Sequence, residues 1–232
     1  MNIHIIILTY NCLNKIKQCI GSLYKNTSHD FKLFIIENGS KDGTKEYVQS
    51  IKKNNLFFLI QEKNIGIIKG RNIGYKFSQE IEKSDLTFFL DADQIVLPKW
   101  LDSYLEIMKK FDIVGVEAWQ IRYPDFYPIK KITDPTETFS YVGGGGMMIK
   151  SDVFEKLGKF DEDYNFMYFE DPSLCLLANQ NGYKIGWNYN HVIIHNHEGP
   201  LLNKKNKQYF IKNWKKFQKK WNNSNIPEFK ME

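Results

Sequence analysis

The sequence predicts an α/β fold built on a mostly parallel central sheet, and three observations carry that expectation. Runs at Ile3–Thr9, Phe31–Glu37, Leu56–Ile60 and Leu86–Leu90 are apolar nearly throughout rather than alternating. That is the pattern of strands buried on both faces. Helical patterns separate these runs, as crossover connections between parallel strands require. The last run then stops abruptly in Asp91-Ala92-Asp93. Two carboxylates at the carboxyl end of a strand point their oxygens into the crevice where open α/β sheets bind ligands.

The elements follow in order. Ile16, Ile20 and Leu23 sit at helical spacing before a break at His29-Asp30. Thr44 to Lys53 reads as a second helix and Ile67 to Ile81 as a third. Pro98 opens a helix through Lys110, with proline tolerated in the first turn, and Ile113–Val116 is a further strand. Residues 119–142 lose periodicity and hold three prolines, which predicts a long loop or irregular insertion, a common place for binding residues. Gly143-Gly144-Gly145-Gly146 lets the backbone pass close to a ligand and leads into an apolar strand at Met147–Ile149. Ser151 is positioned to cap a helix to Leu157, stopped by Gly158. A short helix at Leu174 to Asn181 and closing strands at Lys184–Tyr189 and Val192–His195 complete the body. The units share no fixed period, which excludes a solenoid. A two-part division is expected, with residues 1–202 as one domain and 203–232 as a basic, aromatic C-terminal helix and tail.

Hydrophobic residues form 42% of the 232 residues and aromatics 15%, enough for a substantial core. The first residues lack a basic leader and a small-residue cleavage site and read as a strand, not a signal peptide. No apolar run approaches bilayer-spanning length. Cys12, Cys19 and Cys175 form no metal-binding spacing and fit inert thiols in a reducing cytoplasm. The net charge of +5 is concentrated: eight lysines and no acid lie in residues 203–221, leaving −3 elsewhere. The basic pI therefore does not indicate nucleic acid, though it leaves it open as a partner. Phe210, Trp214, Phe217 and Trp221 recur at helical spacing on one face of the same segment. That amphipathic helix has two dispositions: the aromatic stripe docks on the body, which is favoured, or the helix lies on an anionic membrane. The expected location is cytoplasmic, with peripheral contact at the inner membrane face under the second disposition.

The ordered motifs resemble the family 2 glycosyltransferases of the GT-A fold, whose core is a Rossmann-like sheet without the dinucleotide glycine fingerprint. The resemblance rests on Ile7-Leu8-Thr9-Tyr10-Asn11, on Ile36-Glu37-Asn38-Gly39-Ser40-Lys41-Asp42-Gly43-Thr44, and on Asn64-Ile65-Gly66 with Gly70-Arg71-Asn72-Ile73-Gly74. It continues through Leu90-Asp91-Ala92-Asp93, Gly144-Gly145-Gly146-Met147-Met148-Ile149, Gly158-Lys159-Phe160-Asp161-Glu162, Glu170-Asp171 and Val192-Ile193-Ile194-His195. Each stretch is weakly specific; their order and spacing together are strongly so.

The resemblance implies an inverting enzyme that moves a sugar from a nucleoside-diphosphate sugar, UDP-linked by preference, to an acceptor hydroxyl. It implies Thr9 and Tyr10 at the nucleobase, Glu37 at the base or ribose, and Arg71 at the nucleotide or its phosphates. Asn11, Asn38, Asn64, Gly66, Asp91, Ala92, Gly144 and Gly145 complete the implied nucleotide-sugar contacts, with turn-shaping as the alternative for Asn38 and Asp42. Asp91, Asp93 and His195 are the implied ligands of Mn²⁺ or Mg²⁺, Asp93 the most direct. Such a cation stabilises charge on the leaving diphosphate as a Lewis acid. His197 is a weaker candidate, while His4 and His191 read as structural. Asp171 is the implied general base, with Glu170 orienting the acceptor or, like Asp171, serving the start of the following helix. Family members commonly carry an aspartate and an arginine where this chain has Ser173 and Leu177. The acceptor, a glycan, a lipid-linked molecule or another hydroxyl compound, is therefore the less determined half. Two rival readings remain. A sugar nucleotidyltransferase is disfavoured by Thr9-Tyr10-Asn11-Cys12-Leu13-Asn14-Lys15 after the first strand, and a non-catalytic sugar-nucleotide-binding module by the intact acidic set.

Overall fold

The computed structural model describes residues 1–196, 204–222 and 224–231. The apolar runs become β1 (Ile3–Thr9), β2 (Lys32–Glu37), β3 (Leu56–Ile60) and β4 (Leu86–Asp91), joined by α1 (Leu13–Asn26), α2 (Thr44–Ser50) and α3 (Ile67–Ile81). After β4 come β5 (Gln94–Val96), α4 (Trp100–Met108) and β6 (Ile113–Gly115). Then follow β7 (Ala118–Arg122), β8 (Tyr127–Ile132), β9 (Tyr141–Val142), β10 (Met147–Lys150) and α5 (Ser151–Lys156). The chain continues through α6 (Glu170–Gln180), β11 (Ile185–Trp187), β12 (Ile193–His195) and α7 (Lys204–Trp221).

The main sheet runs β11-β6-β10-β4-β1-β2-β3 and is mostly parallel, with β10 antiparallel to both neighbours. Successive β1 side chains point to opposite faces. Ile5 and Ile7 enter a core roofed by α1 and α4, whereas Ile6 enters a second core under α3, α5 and α6. Helix α3 lies close on the sheet because side chains at Gly70 and Gly74 would collide with Leu8 and with Ile6 and Ile36. The chain winds outward from β1 to β3 and then returns to β4 on the other side of β1. The gap between the β1 and β4 ends is thus the topological switch point, where such sheets bind ligands.

Residues 119–142 do not form an irregular loop. They make most of a three-stranded antiparallel sheet ordered β8-β7-β9. Its β8 strand is mostly exposed, with Pro128 inside it, and buries only Ile132 deeply; a solvated edge tolerates proline. Ser151 does not cap α5: its hydroxyl lies 2.7 Å from that of Ser84 and 2.9 Å from that of Thr87. Helix α4 is shorter than expected, with Lys99 in a left-handed conformation at its start. Helix α6 begins at Glu170 rather than Leu174, so Glu170, Asp171 and Pro172 form its first turn. Strand β5, unmarked in the sequence, pairs with β12, and His195 stands opposite Gln94.

Helix α7 docks on the body through its aromatic stripe. Phe217 is fully buried and Trp221 nearly so. The ring centroid of Phe217 lies 5.3 Å from that of Phe169, and Phe210 lies 5.1 Å from the same ring. Trp214 donates its indole N–H to the Asp125 carbonyl at 2.6 Å. The indole of Trp221 reaches the Ser173 hydroxyl at 3.3 Å, so this serine receives the helix. Lys212, Lys215, Lys219 and Lys220 face outward. None of the described helices is long and apolar enough to cross a membrane.

Truncating Phe217 to alanine should cost about 3–5 kcal/mol and lower Tm by roughly ten degrees in a chain of this size. Lys212→Ala should melt like wild type. Equal melting of both variants in differential scanning calorimetry would refute the docked arrangement.

Candidate active site

The switch point holds two cavities that share a wall. The first, about 680 Å³, is lined by Tyr10, Asn11, Asn38, Asn64, Ala92 and Asp93. The second, about 240 Å³, is lined by Glu117, Trp119, Tyr141, Gly144, Gly145, Glu170 and Asp171. Ile67, Arg71, Asp91, Met167 and His195 belong to both.

The strand ends explain the first cavity. Parallel registry sets Leu8 opposite Asp91 and Thr9 opposite Glu37, so the loops after β1, β2 and β4 emerge side by side. Asn11 anchors to the neighbouring loop, accepting from the Lys41 amide at 2.8 Å. Asn38 donates to Asn64 at 3.1 Å and accepts from the Ile65 amide at 3.0 Å. Asn64 in turn accepts from the Gly66 amide at 2.9 Å, fixing the entry to α3. Three expected contacts, Gly66, Thr9 and Glu37, line neither cavity. Thr9 is buried, with its hydroxyl 3.0 Å from the Cys12 sulfur. Glu37 is fully buried, and its oxygens accept the amides of Gly39 at 3.2 Å and Ser40 at 2.7 Å. Its carboxylate is committed to its own turn and does not line the cavity.

Arg71 is buried where the cavities meet. Its guanidinium donates to Asp91 at 2.6 Å and stands 3.5 Å from Glu170. Burial opposes the charge, but Asp91 and Glu170 favour it and raise the Arg71 pKa. A side chain on Gly144 would press within 2.5 Å of this guanidinium, and one on Gly145 would collide with the Asp91 carboxylate. The glycine run is therefore a requirement of close approach. The Gly144 amide donates to Asp171 at 3.2 Å. Burial and the adjacent Glu170 carboxylate push Asp171 up to about 8, and burial raises Glu170 as well. One oxygen of Glu170 is buried without a hydrogen-bond partner.

Asp91, Asp93 and His195 offer one ligand atom each, all within 4.8 Å of one another. His195 Nε2 lies 3.2 Å from Asp93 and 3.9 Å from Asp91, while Nδ1 lies 3.5 Å from Glu117. Burial works against the imidazolium, but Asp93 and Glu117 outweigh it and raise His195 to about 9. Two carboxylates and an imidazole form an oxygen–nitrogen set suited to a divalent cation. The Asp91 amide is held by the Gln94 side chain at 2.9 Å. Glu117, Gln94 and Lys15 (3.9 Å from Asp93) complete the surroundings and carry no sequence motif. A lone acid just beyond a predicted strand end was the only signal for Glu117. His197 lies outside the described residues. His4 is buried against Phe34 with its pKa lowered to about 4 by burial and by Lys32, and His191 is exposed.

The segment entering α6 is strained. Phe166, Tyr168 and Phe169 adopt φ of 74°, 75° and 72°, a region that costs bulky residues about 1–3 kcal/mol each and persists only when surroundings impose it.

The comparisons with known proteins agree with this architecture. Residues 4–170 match the model of Glycosyl transferase family 2. Glycosyltransferase AglE of Haloferax volcanii is 25% identical over 175 residues, which cover 68% of this chain and 55% of that relative. The chain thus spans about half the length of that curated relative. Two solved structures share the fold. S. aureus TarS 1-349, in complex with UDP-GlcNAc, superposes with a TM-score of 0.65 at 19% identity, covering 86% of this chain and 60% of that one. GalNAc-T7, with UDP, GalNAc and Mn²⁺, gives a TM-score of 0.70 at 18% identity over 84% and 43% of the two chains. The family match spans most of the chain, and the mostly parallel sheet agrees with it: this protein belongs to the family 2 glycosyltransferases and has the GT-A fold.

Proposed function

We propose that this chain transfers a sugar from a nucleoside-diphosphate sugar, UDP-linked by preference, to an acceptor hydroxyl with inversion at the anomeric carbon. The observation that carries this reading is the pair of cavities meeting at Arg71, Asp91 and His195. In it the nucleotide-sugar occupies the larger cavity and the acceptor the smaller. The UDP-GlcNAc held by TarS and the UDP held by GalNAc-T7 support a uridine nucleotide. Tyr10, Asn11, Asn38 and Asn64 contact the nucleoside. Thr9 and Glu37 act indirectly, by shaping the two turns.

Asp91, Asp93 and His195 hold Mn²⁺ or Mg²⁺, for which the Mn²⁺ of GalNAc-T7 is the precedent. When bound, such a cation offsets negative charge on the leaving diphosphate. Arg71 stabilises the same region from the protein side and sets a positive charge between the Asp91 and Glu170 carboxylates. Asp171 takes the acceptor proton as the hydroxyl attacks from the side opposite the leaving group. A carboxylate with a raised pKa is a better-matched base for that proton. The orphaned Glu170 oxygen accepts a second acceptor hydroxyl. The outward lysines of α7 support peripheral contact with an anionic surface near a lipid-linked acceptor. Cosedimentation with anionic vesicles, lost at high salt, tests that contact.

The central test is UDP release from a panel of UDP-sugars with Mn²⁺. Turnover of one donor is expected, and NMR of a product from an α-linked donor should show a β linkage. A retained α linkage would count against direct inversion. Asp171→Asn should keep donor affinity and lose transfer roughly a hundredfold or more, while wild-type turnover by that variant would remove Asp171 from the mechanism. Asp93→Asn should abolish the Mn²⁺ dependence of donor binding in calorimetry, and an unchanged dependence would reassign the cation.

The base also has a stability signature. Asp171 binds its proton more tightly folded than unfolded, so it withdraws stability as pH rises from about 4 towards about 8. Asp171→Asn stays neutral and should melt above wild type at pH 8 in chelator, the two converging near pH 4. A constant difference across that range would contradict the raised pKa.

A further inference from the structure

Asn213 is fully buried on α7, and its carboxamide faces backbone rather than side chains. Its oxygen accepts from the Asn165 amide at 3.2 Å. Its nitrogen donates to the carbonyls of Asn165 at 2.9 Å and Met167 at 2.7 Å, with Tyr168 further off at 3.4 Å. One side chain thus fastens the strained stretch that runs directly into Glu170 and Asp171. The same stretch is tied at its other side, where the Ile67 amide at the start of α3 donates to the Phe166 carbonyl at 2.7 Å. Arg71 lies one turn along that helix. Phe166 lines the first cavity, Tyr168 the second, and Met167 both.

We propose that Asn213 is a positioning residue of the active site: it sets the backbone of residues 165–168 and thereby the wall between the two cavities and the placement of Asp171. The inference rests on the glycosyl-transfer reading above. The physical reason is the polarity of the clamp. Positive φ at Phe166, Tyr168 and Phe169 turns carbonyls away from regular partners, and buried carbonyls must be satisfied. A carboxamide supplies two donors and an acceptor in one plane, whereas alanine or serine at this position cannot reach all of these groups. A residue that only anchored α7 would affect stability and leave turnover per folded molecule alone.

The test compares Asn213→Ala and Asn213→Ser with Trp221→Phe, a change on the same helix that leaves the segment's hydrogen bonds in place. Turnover of the UDP-sugar chosen from the panel is measured per UDP-binding site, with sites counted by calorimetry with UDP and Mn²⁺. Backbone hydrogen exchange is followed alongside. Both Asn213 variants should lose roughly tenfold to a hundredfold in kcat, with UDP affinity little changed. The amides of Asn165 and Ile67 should exchange faster while β1 and β4 stay protected. Trp221→Phe should lower Tm and keep kcat. If Asn213→Ala does not fold, the serine variant and its exchange pattern decide the matter. Unchanged kcat per site in a folded Asn213 variant, beside an active wild type, overturns the positioning role alone. A wild type that turns over no donor overturns the reading beneath it.

Discussion

A buried guanidinium organises this site. Asp91 ends a central strand, Glu170 opens a helix, and both carboxylates converge on the guanidinium, Glu170 buried and Asp91 partly open to the cleft. Burying the Glu170 or Arg71 charge unpaired would cost several kcal/mol, so the two are held together, with Asp91 closing the cluster on the cleft side. The rest of the geometry follows from that requirement. Helix α3 has to lie low on the sheet, which the two glycines facing Leu8, Ile6 and Ile36 permit. The turn between β9 and β10 has to pass without side chains at Gly144 and Gly145, because the arginine and its aspartate fill that space. The two cavities are separate because this cluster stands between them.

Legibility in the sequence followed the solvent. Strands β1, β2 and β4 were readable to within a residue because both their faces are covered, and the half-buried edge strand β3 because a short uninterrupted apolar run between helical patterns suits little else. The small sheet at Ala118–Val142 was not readable. Its strand β8 exposes Tyr127, Ile129, Lys130 and Lys131, so neither strict alternation nor a continuous apolar run marks it. Strand β5 is three residues long and is defined by its partner more than by its composition. The start of α6 was misplaced because Glu170-Asp171-Pro172 suits a turn as well as a first helical turn.

The site divides in the same way. Asp91 and Asp93 stood out at the end of an apolar strand, Asp171 and His195 through the motifs that resemble the family, and the fold gathers all four around one cleft. Glu37 carried a motif yet spends its carboxylate on backbone amides, because the turn after β2 has donors that need an acceptor. Asn213 was hidden among lysines. A helical wheel would have flagged it, since it falls three residues after Phe210 and four before Phe217, on the buried face. A polar residue in an aromatic stripe needs partners, and here those partners are main-chain groups of the segment that carries the acids.

The pairing of β12 with β5 has a consequence for how the molecule comes into being. Asp93 and His195 are about a hundred residues apart in the chain, and they meet only because Ile193–His195 lies antiparallel to Gln94–Val96 while the Asn196 amide bonds to the Asp93 carbonyl at 3.0 Å. Contacts of such sequence separation carry a large loop-closure cost and tend to form late. Strands β1 to β4, whose ends shape the crevice, all precede β12 in the chain. The carboxylates thus precede the histidine by about a hundred residues in the chain, and the three-donor cluster exists only once β12 has paired with β5.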